Sequence, residues 1–418
     1  MARAENINPG ILRWARETAG LSLEDAADRL GITSSAAISA VEKLEALEKG
    51  EQFPTRNQLD KFASVYRRPL ITFYMKQPPQ KGTRGEDFRT LPVAVPPREN
   101  AMLDALLRDI RARQEMVKSL LEDEEENEPL GFVGSASIKN GVQAVVDSIA
   151  RTLDLPKGAR GRNGTADDLF RDLRARTEQA GVFVLLVGDL GHHTSAISES
   201  VFRGFAIADP VAPFVVINDQ DARAARSFTL LHELAHIWLG QTGVSGTPDQ
   251  AEGKTPIARI EQFCNDVAGE ILLPSYAFDV KPNELDSSDK QSASAYVRRT
   301  ADLWRVSEPM VAYRLRRLQW ITDSVYRSLS ADYAARWHAS KIKEKDKNKE
   351  SEGGPSYYTV RQFKLGNALI DVVRRTLRNN ELTYTKAAKV LGVKPSSVEP
   401  LLSKFESSRG VLVPESRS

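Results

Sequence analysis

The chain has 418 residues, 41% hydrophobic and 27% charged, the balance of a water-soluble protein with room for about three domains. No apolar run reaches the ~20 residues of a membrane span and the N-terminus has no signal-like apolar stretch, so a cytoplasmic protein with no membrane partner is expected. A single cysteine, Cys264, excludes an internal disulfide and a multi-cysteine zinc knuckle, which leaves His, Asp or Glu to hold any metal. Net charge is +2, but from Arg336 onward 17 Lys+Arg stand against 9 Asp+Glu, a surplus of 8 that leaves −6 for the remainder. Such a basic tail suits nucleic acid, or is simply a solvated end.

The first 78 residues read as four short helices. "PGILRWARETAG" has the proline start and glycine stop of a helix. "SLEDAADRLG" follows, with Ser22 as N-cap and Leu23, Ala26, Ala27 and Leu30 at helical spacing. "SSAAISAVEKLEALEKGE" and "TRNQLDKFASVYRRP" complete the set. The order is that of a helix-turn-helix domain, over 1–78. Residues 1–75 hold 10 Lys+Arg against 10 Asp+Glu, and the third helix carries Glu42, Glu45 and Glu48 against Lys43 and Lys49. Acidic groups facing phosphate would repel it, so DNA binding and protein docking both stay open.

A Pro-rich linker spans 79–97, and an amphipathic helix of about 98–126 ends in the acidic run "EDEEENEP". "VQAVVDSIARTLDL" and "ADDLFRDLRARTEQAG" are two more helices. Then "GVFVLLVG", "VFRGFAIAD" and "PFVVIND" read as strands of a small sheet. The helix "TLLHELAHIWLG" follows, then a polar loop, then "IARIEQFCNDVAGEILLP". A helical extension covers 286–338 and a charged low-complexity linker 339–356. The basic C-terminal module, 357–418, contains "TYTKAAKVLGVKPSSVEPLLSKF", itself a helix-turn-helix pattern.

In a helix, residues four apart share a face, so His232 and His236 can aim at one ion. Glu233 sits about 100° around the helix, beside the ion without binding it. This is the H-E-x-x-H arrangement of two metal ligands and one general base. A catalytic zinc usually takes three protein ligands and keeps one position open, so a third must come from elsewhere. The next helix offers Glu261, with Asn265 four residues on, where its carbonyl can accept the free N–H of a ligand histidine. Two buried histidines without partners would be costly, which favours the metal over a bare core helix.

"FRGFAIADPVAPFVVINDQDARAARSFTLLHELAHIWLG" followed by "IEQFCNDVAGEILLP" resembles the ImmA/IrrE family of metallopeptidases, from about Gly181 to Pro274. Weaker similarity extends to "LRWARETAGLSLEDAADRLG", "YRRPLITFYM" and the "YTKAAKVLGVKPSSVE" tail, as in long members with an N-terminal XRE-type helix-turn-helix. The resemblance implies Zn2+ on His232, His236 and Glu261, with Glu233 as catalytic acid and base. It implies a protein substrate, usually a DNA-binding repressor or antitoxin, cut after DNA damage or invasion by a mobile element. Many relatives have an acidic residue where Phe263 stands and alanine at Cys264. Phe263 cannot coordinate, which strengthens Glu261.

Other residues carry two readings each. Cys264 is either a small buried residue or a thiolate that fills the open metal position and keeps the enzyme latent. His192 and His193, in a predicted loop, are solvated or supply an oxyanion donor, and Tyr276 is a weaker candidate for that role. His338 looks incidental.

The expected fold is α+β and predominantly helical. A zincin-like peptidase with a small β-sheet, 98–285 including its helical lead-in, is joined to helical helix-turn-helix domains. The expected function is a zinc-dependent endopeptidase acting on a regulatory protein in a stress response. The alternative is a DNA-binding transcriptional regulator, or an antitoxin-like protein, whose peptidase fold senses without cutting. Nucleic acid would meet the N-terminal domain or the basic C-terminal module.

Overall fold

The computed structural model describes residues 4, 6–79, 86–87, 96–123, 128–156, 164–191, 195–245, 255–278, 285–350 and 356–410. Four short helices open the chain: α1 Pro9–Thr18, α2 Leu23–Leu30, α3 Ala40–Lys49 and α4 Arg56–Tyr66. The side chains of Ser22, Ser39 and Thr55 accept the third backbone N–H of α2, α3 and α4, and Gly31 and Gly50 end α2 and α3 in the left-handed conformation. The third helix starts at Ala40, not at Ser34, because Ser39 and Glu42 form a reciprocal capping box there. Ile11, Leu12, Leu30, Leu44, Leu59, Phe62 and Phe73 give this unit its own core.

Inside that core Arg16 donates to both carboxylate oxygens of Glu48, at 2.8 and 2.9 Å. Glu48 therefore faces inward. Glu42 is held by the Ser39 cap and Glu45 pairs with Lys49 at 2.8 Å. The expected repulsive row on α3 is thus partly spent on capping and internal pairing.

A two-residue strand, β1 Glu86–Asp87, precedes the long helix α5 Pro97–Glu122. After it come α6 Val142–Thr152, α7 Ala166–Gln179, β2 Phe183–Leu186, β3 Gly204–Ile207, β4 Phe214–Ile217, α8 Arg226–Trp238, β5 Gly243–Ser245 and α9 Pro256–Leu272. Then follow α10 Lys290–Trp304, α11 Glu308–Arg317, α12 Asp323–Glu350, α13 Tyr357–Leu365, α14 Asn367–Arg378, α15 Tyr384–Leu391 and α16 Val398–Gly410. The mixed sheet has the order β1-β5-β3-β4-β2; β3 is antiparallel to β4 and β5, and the other two pairings are parallel.

Successive residues of a strand point to opposite faces, and here both faces are buried. Val184, Leu186, Ala206, Val215 and Ile217 enter one core with α6 to α12. Phe183, Leu185, Phe205, Phe214, Val216 and Val244 enter a second core with α5, α14, α15 and α16. That is why "FVLL" and "FVVI" are continuously apolar instead of alternating. The C-terminal helices, expected to follow a charged linker as a module of their own, supply the second layer of this sandwich. Arg174 and Glu178 of α7, both nearly fully buried, pair at 3.0 Å, and Glu178 accepts the N–H of Asn367 at the start of α14. A carboxylate at a helix N-terminus satisfies its free donors. The "KIKEKDKNKE" stretch is helical to Glu350, in keeping with the high helix propensity of Lys and Glu. Among the described residues no helix is long and apolar enough to cross a membrane.

The long helix α12 is pinned to the body by one buried carboxylate. Glu199 accepts from Trp337 Nε1 at 2.9 Å and from Lys341 Nζ at 2.5 Å. Burial alone would raise its carboxyl, but Lys341 and Trp337 outweigh it and hold it below the ordinary 4.5. A depressed carboxyl stabilises the fold fully above 4.5, and the contribution fades as pH falls through the folded value. Glu199→Gln should cost about 1–2 kcal/mol at neutral pH in urea unfolding. The gap from wild type should close well below pH 4.5; one that persists there would contradict the assignment.

Candidate metal centre

Helix α8 is buried along all its 13 residues, so it runs through the body of the protein and not along its surface. Leu230, Leu231, Leu234 and Trp238 pack into the first core, with Trp238 stacked on Phe132 at 4.4 Å and donating to Ser148 at 3.0 Å. His232 and His236 turn toward α9. That helix is started by Thr255, whose side chain accepts the Ala258 N–H, and by Pro256 in its first turn.

Three donor groups converge. The two Nε2 atoms of His232 and His236 lie 3.1 Å apart. Glu261 Oε1 is 3.0 Å from His236 Nε2, and Oε2 is 3.4 Å from His232 Nε2. The donor atoms all fall within 4.8 Å of one another. His232, His236 and Glu261 are 4%, 1% and 3% exposed, so they are largely withdrawn from bulk water. Two neutral imidazole lone pairs at 3.1 Å repel unless a proton or a cation lies between them. The protonation balance agrees. Burial opposes charge on both rings; Glu261 overcomes it at His232 and moves that ring up, whereas His236 moves down, with the His232 charge adding to its burial. Burial also works against Glu261, yet the two histidines hold its carboxyl at about 2. The site thus holds an anion and room for one positive charge, which a divalent ion would supply.

Glu233 points elsewhere. It is fully buried, next to β3, and its two oxygens have no good hydrogen-bond partner. Burial lifts its carboxyl to about 8, helped by Glu261 and opposed by His232 and by Ser245 of β5. Its place depends on Gly204: a Cβ there would lie 2.6 Å from Glu233 Oε1 and 2.8 Å from Thr229 Cγ2. Gly204→Ala should therefore destabilise by about 1–3 kcal/mol. In a double-mutant cycle with Glu233→Ala the two costs should fall short of additivity by at least ~0.5 kcal/mol. Full additivity would mean that the two do not touch.

Residues 191–316, from just ahead of β3 through α11, match the IrrE N-terminal-like domain of the peptidase M78 family. The chain carries an IrrE N-terminal-like domain. Residues 11–70 match a helix-turn-helix domain, which covers α1 to α4. No curated protein and no solved structure matches the chain.

Within the IrrE N-terminal-like domain, Asn265 is buried four residues beyond Glu261, on the side of His232, whose charged form it favours. Gln241 favours the charged form of His236 and was missed from sequence. Its signal was Gly240, whose left-handed φ of 67° turns the chain back so that the Gln241 N–H reaches His236 O at 2.9 Å. Ser245 was missed because "GVS" reads as loop, not strand. Tyr276 lies in a 3-10 turn, Ser275–Phe278, and is 56% exposed. His192 and His193 lie outside the described residues. Cys264 packs in the core, and burial together with Glu261 and Glu233 pushes its thiol well up, against a thiolate at the metal.

Proposed function

We propose that the chain is a zinc-dependent endopeptidase that cuts a regulatory protein, a DNA-binding repressor or antitoxin, in a stress, DNA-damage or mobile-element response. The observation that carries the metal is the spacing of its donors. Tetrahedral donors ~2.0–2.1 Å from a zinc ion lie about 3.3 Å from one another. Here the two histidine nitrogens are 3.1 Å apart, and each faces its own Glu261 oxygen, at 3.0 and 3.4 Å. His232, His236 and Glu261 would hold the ion, two nitrogens and one oxygen leaving a fourth position open. A bound zinc ion supplies Lewis acidity, polarising a carbonyl and making water a better nucleophile near neutral pH.

The remaining work falls to this chain. Glu233 takes a proton from the attacking water at its carboxylate and delivers it to the leaving amide nitrogen. The wall at Gly204 confines that carboxylate, with Ser245 on its other side. With Nε2 of each ring turned to the ion, the Nδ1–H groups are left for side-chain carbonyls, and Asn265 and Gln241 would accept them. The helix-turn-helix domain supports a nucleic-acid-linked role, because the acidic groups of α3 are spent on Ser39, Lys49 and Arg16.

Elemental analysis tests the metal: the purified chain should carry about one zinc per molecule. Co-expression with a repressor or antitoxin, should one be encoded beside it, tests the substrate. Fragments with the active chain, and none with Glu233→Gln, are expected. If both proteins change transcription equally and neither yields fragments under any inducing condition, the enzyme reading falls and the sensor-regulator replaces it.

A further inference from the structure

The helix-turn-helix unit comes very close to α5 at Gly20. Gly20, at a φ of +66°, sits so close to the start of α5 that a Cβ would lie 2.6 Å from the Arg98 Cα. Beside this contact is a cavity of about 50 Å³ whose walls include Thr18, Arg29, Arg67, Arg98, Arg108 and Ser195. A water needs roughly 10–15 Å³ on this measure, so the space holds several waters or one tetrahedral oxyanion.

Its wall is densely cationic. Several arginines close to the core pair with carboxylates, as Arg16 does with Glu48 and Arg174 with Glu178, whereas Arg226 and Arg361 donate to backbone carbonyls. Arg29, Arg67, Arg98 and Arg108 are exposed and come from the end of α2, the cap of α4 and two turns of α5; they converge on this cleft, and none of them makes an ion pair among the described residues. Asp104 is the acid that faces this group, toward Arg68 and Arg108. Crowding has an electrostatic consequence. Burial, then Arg29 and Arg98, push the Arg67 guanidinium below its ordinary value. Burial and Arg108 bring the neighbouring Arg68 down to about 10. Arg68 is fixed at the edge of this group, with its guanidinium 4.4 Å above the Trp14 ring and Nη2 donating to Thr18 at 2.9 Å.

We propose that this cleft between the helix-turn-helix unit and α5 is a binding site for a phosphate group, carried by a small phosphorylated molecule or by free phosphate. Planar guanidinium forks match phosphate oxygens two at a time, and two or more of them neutralise its charge. Occupancy would tie α2 and α4 to α5, and through α5 to the sheet. The proposal is independent of the peptidase reading, since no metal-site residue takes part.

The test is calorimetric titration of the full chain, after dialysis into an anion-poor buffer, with inorganic phosphate, adenosine monophosphate and a short DNA duplex. Saturable binding of phosphate or the monophosphate is expected, weakened at least tenfold in Arg67→Gln and Arg98→Gln and unchanged in Arg171→Gln. Thermal melting separates binding from folding. Relieving like-charge crowding should leave the unliganded variants as stable as wild type or more so, while the rise in Tm with phosphate is lost. A duplex that displaces phosphate, and that the two variants also fail to bind, makes DNA the source of the phosphate group. A duplex that leaves phosphate in place makes the source a small molecule. No saturable binding of any of the three probes, binding unchanged in both variants, or variants that merely melt lower with phosphate response intact, would overturn the proposal.

Discussion

Glu233→Gln should leave the chain folded and loaded with metal, and leave its substrate uncut. Glutamine keeps the volume, and it removes the one group at the site placed to move a proton. Glu233 is not among the three converging donors, so the metal content should match wild type. General acid–base catalysis by one side chain is typically worth about a hundred- to ten-thousand-fold in rate. Without a metal, burial holds this carboxyl at about 8, protonated at neutral pH. A cation within a few ångströms favours the carboxylate. Loading the metal should therefore release protons in wild type and fewer in Glu233→Gln, which pH-stat titration of the metal-free proteins would read. Equal release would mean that Glu233 stays protonated and cannot act as base.

Removing a ligand should do more. His232→Ala, His236→Ala and Glu261→Ala should each lose most of the metal and, with it, all measurable cleavage. Glu261 has a second effect, because it is the counter-charge that allows the buried histidine pair to hold a proton. Breaking a buried charge pair by deleting one partner typically costs about 3–5 kcal/mol. Glu261→Ala should thus melt below wild type even when both are stripped with a chelator. Glu261→Gln should recover part of that loss but not the metal. Metal analysis and chelator-treated melting curves decide this, and full occupancy in Glu261→Ala would remove it from the ligand set.

The ligand helix was legible because its signal is local. His232 and His236 at a four-residue spacing, inside a segment that is apolar around them, can only be placed on one face of a helix. Glu261 was legible through the i, i+4 pairing with Asn265. What could not be read was the set of groups supplied by distant segments. Gly204 matters only because β3 crosses above Glu233, and Ser245 only because three residues of an apparent loop pair with β3. The two-layered burial of the sheet was hidden for a related reason. "FVLL" and "FVVI" announce strands buried on both faces, but not that α14 to α16, some 150 residues later, cover one of them. The inward turn of Glu48 on α3 could not be read because its partner, Arg16, lies on another helix.

Digestion of a purified repressor or antitoxin by the purified chain, read by intact-mass spectrometry with and without a chelator, reports the metal-dependent cut itself. One new pair of fragments is expected, lost on chelation, restored by about one equivalent of zinc, and absent with Glu233→Gln. Fragments that persist without metal, or that Glu233→Gln produces as fast as wild type, would contradict a zinc-dependent cut with Glu233 as its base.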